Sequence, residues 1–397
     1  AWSTNSSAGT GTATSASEGP VRIAPSPARR YSLRMITRRA SCLLGVAVLL
    51  AFAGLIRFYR LGETDTRADE VELVENLQAG VGPAAYFKQI AEGFQSGRQM
   101  PLPRVATSAY VTGFGLKVSL FNVRTPVALL GTLLPVFLFM MGSWWVGPRL
   151  GWILGVLGAM NPFALHWCRV SVAYGFSLPL MVLTAMFFTP LLLAAVEGRT
   201  PSRGHLAGAV VAGILACYSH MSSWPLAGLL WLALLLLIMK KSAWRLQTVP
   251  WRVWISVVIW AISLAPWALS FLTAVGEKWD MLVAGANNPV FAFSAMWRLP
   301  FVMGWGSGVM RTPLTFGLPL IGIFLAWRNS VHRPHMLFII ALGLLLLGML
   351  GAMMTWSGRI YTLRYFAPFW LVPILLAGLA LHEMGSMAGR RWPRPGA

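Results

Sequence analysis

PVALLGTLLPVFLFMMGSWWV (126–146) carries no charged side chain and two internal prolines, and it decides what kind of molecule this is. About 20 such residues in helical form cross the ~30 Å hydrocarbon core of a bilayer. Comparable apolar runs recur near 43–56, 150–167, 176–196, 206–217, 225–239, 253–275, 314–327, 336–355 and 366–382. The chain is 56% hydrophobic and only 11% charged, with a mean hydropathy of +0.64. These features predict an all-α polytopic transmembrane bundle of about ten spans, and a water-soluble globule is excluded.

The placement of Lys and Arg between the runs orients the bundle. The N-terminal segment holds Arg22, Arg29, Arg30, Arg34, Arg38 and Arg39. Every second connection after it is short and basic: Arg149; Arg199 and Arg203; Lys240, Lys241, Arg245 and Arg252; Arg328 and Arg333; then Arg390, Arg391 and Arg394. Both termini are therefore expected on the cytoplasmic side of a plasma membrane, in bacteria the inner one. The register holds if 104–121 lies at the interface without spanning. The expected organisation is a disordered basic tail (1–41), a transmembrane domain (42–384) with a first outer loop (60–123), and a basic tail (385–397). The net charge of +20 follows the cytoplasmic turns, so nucleic-acid binding is not implied. The first apolar run begins near residue 42 behind a long polar stretch, unlike a signal peptide.

Carboxylates are scarce, and half of the twelve lie in LGETDTRADEVELVENLQAG (61–80), with Asp69-Glu70 near its middle. The other connections expected on the outer face offer Arg169 and Tyr174; Tyr218 and His220; Glu277, Lys278, Asp280 and Arg298; and Arg359, Tyr361, Arg364 and Tyr365. A carboxylate can take a proton from a hydroxyl or amine nucleophile. Arginines present forked donors suited to phosphate, and aromatic faces suit sugars and isoprenoid chains. Group transfer from a lipid-linked phosphate is the chemistry these residues can assemble. Taken singly, each cation could equally be an interface anchor. Three cysteines make no disulfide framework, and Cys42, Cys168 and Cys217 read as small buried hydrophobes. A membrane cysteine transpeptidase built on Cys168 or Cys217 with His220 and Arg169 is the sharper alternative, but no feature depresses a thiol pKa.

The order of segments resembles the GT-C glycosyltransferases, within them the protein O-mannosyltransferase and aminoarabinose (lipid A) transferase group. The shared features are Asp69-Glu70 after an aromatic- and Arg-rich helix end, Pro101–Pro103, Arg124-Thr125-Pro126, and Pro162-Phe163 leading to Cys168-Arg169 and Tyr174. CYSHMSS and LRYFAPFWLVPILLAGLAL continue the likeness, which covers roughly 43–382. The resemblance implies an inverting transferase that moves a sugar from a polyprenyl-phosphate donor to a lipid, glycan or protein acceptor at the outer face. It implies Asp69 as general base with Glu70 as its partner, and Arg169, Tyr174, His220, Arg359 and Arg364 toward the donor. Gln99-Met100-Pro101 stands where aminoarabinose transferases carry Glu-Lys-Pro, so no metal or other cofactor is expected, and a divalent ion would have only carboxylates to hold it. Acceptor recognition falls to loop 276–312 or to a membrane-protein partner. A catalytically silent GT-C-like subunit is the main alternative. A lipid transporter is disfavoured because the span interiors carry no convincing ionisable residue.

Overall fold

The computed structural model describes residues 27–63, 66–91, 101–241, 244–277, 317–329, 333–356 and 368–391, and the regular structure among them is helical. The chain divides into two units, Ala1–Leu44 and Gly45–Ala397, and the second contains the features that follow. In order the helices are α1 (Pro27–Phe58), α2 (Ala68–Gln78), α3 (Pro83–Ala91), α4 (Pro101–Gly113), α5 (Leu120–Trp145), α6 (Pro148–Met160), α7 (Pro162–Trp167), α8 (Ala173–Glu197), α9 (Arg203–Ser219), α10 (Ser223–Lys241), α11 (Trp251–Glu277), α12 (Leu318–Arg328), α13 (Arg333–Trp356) and α14 (Leu371–Arg391). Where they fall in the described residues, the apolar runs are helical. Four segments, Leu120–Trp145, Ala173–Glu197, Ser223–Lys241 and Pro368–Met387, are long and apolar enough to cross a membrane by themselves. Shorter apolar helices flank them. The chain is an integral membrane protein of the helical type.

Two sequence expectations change. The run at 150–167 is not one helix: Pro162 has no N–H with which to continue α6, and Asn161 instead caps α7 by accepting the Ala164 N–H at 3.0 Å. The segment at 104–121 is not one element either. α4 ends at Gly113, Gly115 turns with φ +60°, and Ser119 caps the start of α5. At 1.5 Å per residue α4 is about 20 Å long, too short to cross. Residues 27–41, expected within a disordered tail, belong to α1; the rest of that tail lies outside the described residues.

Among the described residues the largest apolar cluster is built around α5 and α8. Phe188 of α8 meets Trp231 of α10 edge to face with ring centroids 4.8 Å apart. Without a hydrophobic gradient between lipid and protein, close backbone approach drives helix association in a bilayer. α5 and α6 show it: a Cβ on Gly151 would stand 2.1 Å from Ser143 Oγ and 2.5 Å from the Phe139 carbonyl. The buried Trp370 ties the start of α14 to the α6–α7 corner, its Nε1 donating to Asn161 Oδ1 at 2.8 Å. A second apolar cluster, Leu73, Leu77, Tyr86, Val105, Val111 and Val123, holds α2, α3 and α4 against the first turn of α5. Chain direction therefore brings the end of α1, the starts of α2, α5 and α8, and the α7–α8 and α9–α10 connections to one end of the bundle. The short basic connections stand at the other.

Candidate active site

The site end is organised by Glu70, which is fully buried together with Arg124. Glu70 Oε1 accepts from Arg124 Nε at 2.9 Å and from the Ser171 N–H at 2.7 Å. Its Oε2 accepts from Arg124 Nη2 at 2.8 Å and, as a capping-box contact, from the Arg67 N–H at 3.2 Å. The third arm of the guanidinium, Nη1, donates to the Leu61 carbonyl at 2.9 Å. Such a forked pair recovers its desolvation cost only when nearly every donor and acceptor is used, and here the carboxylate meets four donors. Helix α2, helix α5, the α1–α2 connection and the α7–α8 connection are joined by this one carboxylate. Thr107 of α4 adds a hydroxyl contact to Ser171 at 3.3 Å.

Asp69 precedes Glu70 on the first turn of α2 and is rotated about 100° from it at 3.6 residues per turn. It cannot share the buried pocket, and it stands partly exposed at this end, where the helix N-terminus favours negative charge. Cations surround the region. Arg67 Nη2 donates to His166 Nε2 at 3.1 Å, a geometry that requires an unprotonated Nε2 because arginine has no lone pair to offer. Partial burial of its ring and then Arg67 hold His166 below the usual imidazole range, with Arg169 acting in the same direction and Glu70 against it, though the residue still reaches solvent. Arg169 donates through Nη2 to the carbonyls of Tyr59 at 2.6 Å and Arg60 at 3.3 Å, so it caps the C-terminal end of α1. Arg57 is fully buried near Cys168 and Gly131; among the described residues its Nε and Nη2 have no hydrogen-bond partner.

Tyr174, in the first turn of α8, and His220, at the end of α9, are both buried and stack with centroids 4.3 Å apart. His220 Nδ1 accepts the Ser222 N–H at 3.1 Å, which leaves Nε2 as the protonated nitrogen of the neutral ring. Trp167 extends this aromatic row, 5.1 Å from Tyr174 and 6.1 Å from Phe163. The segment 168–174 therefore links Glu70, through Ser171, to Arg169, Tyr174 and His220 in one neighbourhood. Arg359, Arg364 and most of loop 276–312 lie outside the described residues. The Cys168 thiol is fully buried and pushed up by desolvation, a trend that the Arg57 guanidinium opposes. Cys217 is buried in α9. Neither offers an exposed thiolate, which removes the ground for a cysteine transpeptidase. Among the described residues, no group of three or more His, Cys, Asp or Glu side chains could hold a metal ion.

Arg57, His166 and Ser171 were not singled out as site residues by the sequence. Arg124 was visible only as part of an Arg-Thr-Pro triplet, and its pairing with Glu70 across 54 positions leaves no local signal.

No family model and no curated protein matches the chain. Among solved structures, ArnT from Cupriavidus metallidurans in the apo state aligns over 87% of this chain and 61% of its own, at 18% identity and a TM-score of 0.47. The same protein bound to undecaprenyl phosphate aligns over 86% and 62%, at 18% identity and a TM-score of 0.46. An Archaeoglobus fulgidus oligosaccharyltransferase tethered with an acceptor peptide aligns over 88% and 51%, at 14% identity and a TM-score of 0.43. The chain thus spans between about half and three fifths of the length of the solved structures it matches.

Proposed function

We infer that this chain is a GT-C-type glycosyltransferase that moves a sugar from a polyprenyl-phosphate donor to an acceptor at the outer membrane face, with Asp69 as general base. The observation that carries the reading is the division of labour between adjacent acids. Glu70 is buried and spent on four donors, whereas Asp69 stands partly exposed on the same turn, in a neighbourhood containing Arg67, His166 and Arg169. A fixed frame beside a solvent-accessible carboxylate is what a positioned base requires.

In the proposed step the acceptor hydroxyl or amine gives its proton to Asp69 as its lone pair attacks the anomeric carbon. The bond from that carbon to the phosphate oxygen breaks, configuration inverts, and the polyprenyl phosphate leaves with the electron pair. Charge grows on the phosphate as the bond breaks, and cations matched to that stage accelerate turnover. Arg169, Tyr174 and His220 line the donor side in this reading, with Arg364 and then Arg359 clamping the leaving phosphate. Undecaprenyl phosphate, the lipid in one ArnT structure, is of the class of carrier that such a step would release. In this reading the basic connections at the opposite end of the bundle, and both termini, face the cytoplasm.

Asp69→Asn keeps the side-chain shape and cannot take the proton, so transfer per folded molecule should fall ~10²–10⁴-fold. Glycolipid profiles of cells with and without the chain supply the donor and acceptor for that assay. Near-wild-type transfer by Asp69→Asn, or an unchanged rate in Arg364→Ala, removes the corresponding assignment. Glycolipid profiles that do not change when the chain is removed point instead to a silent scaffold.

A further inference from the structure

The basic end of the bundle holds one patch unlike the rest. Across the α10–α11 connection stand Lys240, Lys241, Arg245 and Arg252, and no Asp or Glu occurs anywhere between Glu197 and Glu277. Among the described residues no ion pair reaches these four cations. Several other cations at this end have a neighbour of their own. Arg199 pairs with Glu197, Arg333 Nε donates to the Trp327 carbonyl at 2.9 Å, and Arg149 packs against Gly385.

Beside the four cations lie large apolar side chains turned outward: Trp244, Leu246 and Trp251 are 59%, 57% and 65% exposed. The Arg252 guanidinium sits 5.6 Å from the Trp251 ring centroid. Residues 244–249 of the connection are folded rather than slack. The Trp244 N–H donates to the Met239 carbonyl at 2.7 Å, holding Trp244 at φ +64°, and the Thr248 N–H closes a 3₁₀ turn onto Arg245. Rings at the level of the acyl boundary with unpaired cations beside them form the two halves of a membrane-surface contact.

We propose that the α10–α11 connection is a binding site for the headgroup of an anionic phospholipid. A phosphodiester whose headgroup brings no cation of its own supplies the negative charge that Lys241, Arg245 and Arg252 lack, and its acyl chains cover Trp244, Leu246 and Trp251. Phosphatidylcholine carries a cation beside its phosphate and satisfies only the apolar half. The site does not depend on the assigned transferase activity or on the orientation of the bundle.

The test uses the full chain in nanodiscs of phosphatidylcholine with a fixed fraction of brominated phosphatidylglycerol or brominated phosphatidylcholine. Quenching at Trp244 and Trp251 is isolated by difference against Trp244→Phe/Trp251→Phe. One well-placed cation is worth roughly fivefold in association with an anionic surface, so the brominated phosphatidylglycerol should quench about fivefold more effectively. The preference should vanish in 1 M salt, where screening acts within about 3 Å, and in Lys241→Gln/Arg245→Gln/Arg252→Gln. It should persist in the matched Arg203→Gln/Arg328→Gln/Arg333→Gln. Equal quenching by the two lipids in the unaltered protein overturns the proposal without any variant. Equal loss in both triple variants also overturns it, marking a diffuse surface field. Competition by inorganic phosphate would mark a soluble-anion site and overturn it as well.

Discussion

Glutamine at position 70 keeps the shape of the glutamate and replaces one oxygen with a donor. Both oxygens of Glu70 already accept two donors each: Arg124 Nε and the Ser171 N–H on one, Arg124 Nη2 and the Arg67 N–H on the other. Either orientation of the amide sets N–H groups against N–H groups, and it leaves the fully buried Arg124 without a counter-charge. Removing one partner of a buried pair costs ~3–5 kcal/mol. At roughly 1.2 °C per kcal/mol for a chain of this length, the apparent unfolding midpoint of Glu70→Gln should fall by about 4–6 °C. The protein carries its own reporters: Cys168 and Cys217 are buried and become accessible to a fluorogenic maleimide only when the bundle opens. Arg124→Gln should cost a similar amount, and the double variant less than the sum, because the second change removes a charge the first has orphaned. A Glu70→Gln midpoint within about 2 °C of the unaltered protein refutes the reasoning, since a pair that contributes so little cannot be holding the four segments together.

Trp370→Phe keeps the bulk and loses the bond to Asn161 Oδ1, so the same thermal assay should show a loss of ~1–2 kcal/mol. Gly151→Ala drives a methyl group into Ser143 Oγ and the Phe139 carbonyl, and overpacking of this kind should cost ~1–3 kcal/mol; an unchanged midpoint means that α5 and α6 stand further apart. His166 binds its proton less readily in the folded chain than in the unfolded one, so stability is full above the usual imidazole range and falls as pH drops through it. His166→Gln should therefore flatten the thermal midpoint against pH between about 7 and 5, and equal slopes in the two proteins remove that residue from the acid response.

The sequence shows the bundle clearly because hydropathy is additive along the chain: 126–146 and 176–196 announce spans without reference to anything else. Breaks depend on single residues and were harder to read. Pro162 splits the run at 150–167, although Pro126, Pro135, Pro179 and Pro190 sit inside helices without ending them. The difference lies at Asn161, whose side chain offers the new helix a cap. The site was legible as a cluster of residue types and not as a geometry. Asp69 and Glu70 are alike in the sequence and separate only through about 100° of helix rotation and an arginine 54 positions away. Arg169 looks like a phosphate ligand by type, and two of its contacts are backbone carbonyls at the end of α1.

Glu70 also imposes an order on biosynthesis. Its partners come from residues 67, 124 and 171, with Arg124 in turn holding the Leu61 carbonyl, so the last of them is made 101 residues after Glu70 itself. While α1, α2 and α5 emerge, the carboxylate has no final place, and the α1–α5 loop must wait in water on its side of the membrane. The loop locks only after the α7–α8 corner has been delivered to the same side. A chain whose α6 inserts late or inverted never presents the Ser171 N–H there, and its first loop stays open. On this geometry the pair would serve as an inspection point on topology, closing the candidate-site end only in molecules whose first half is threaded correctly.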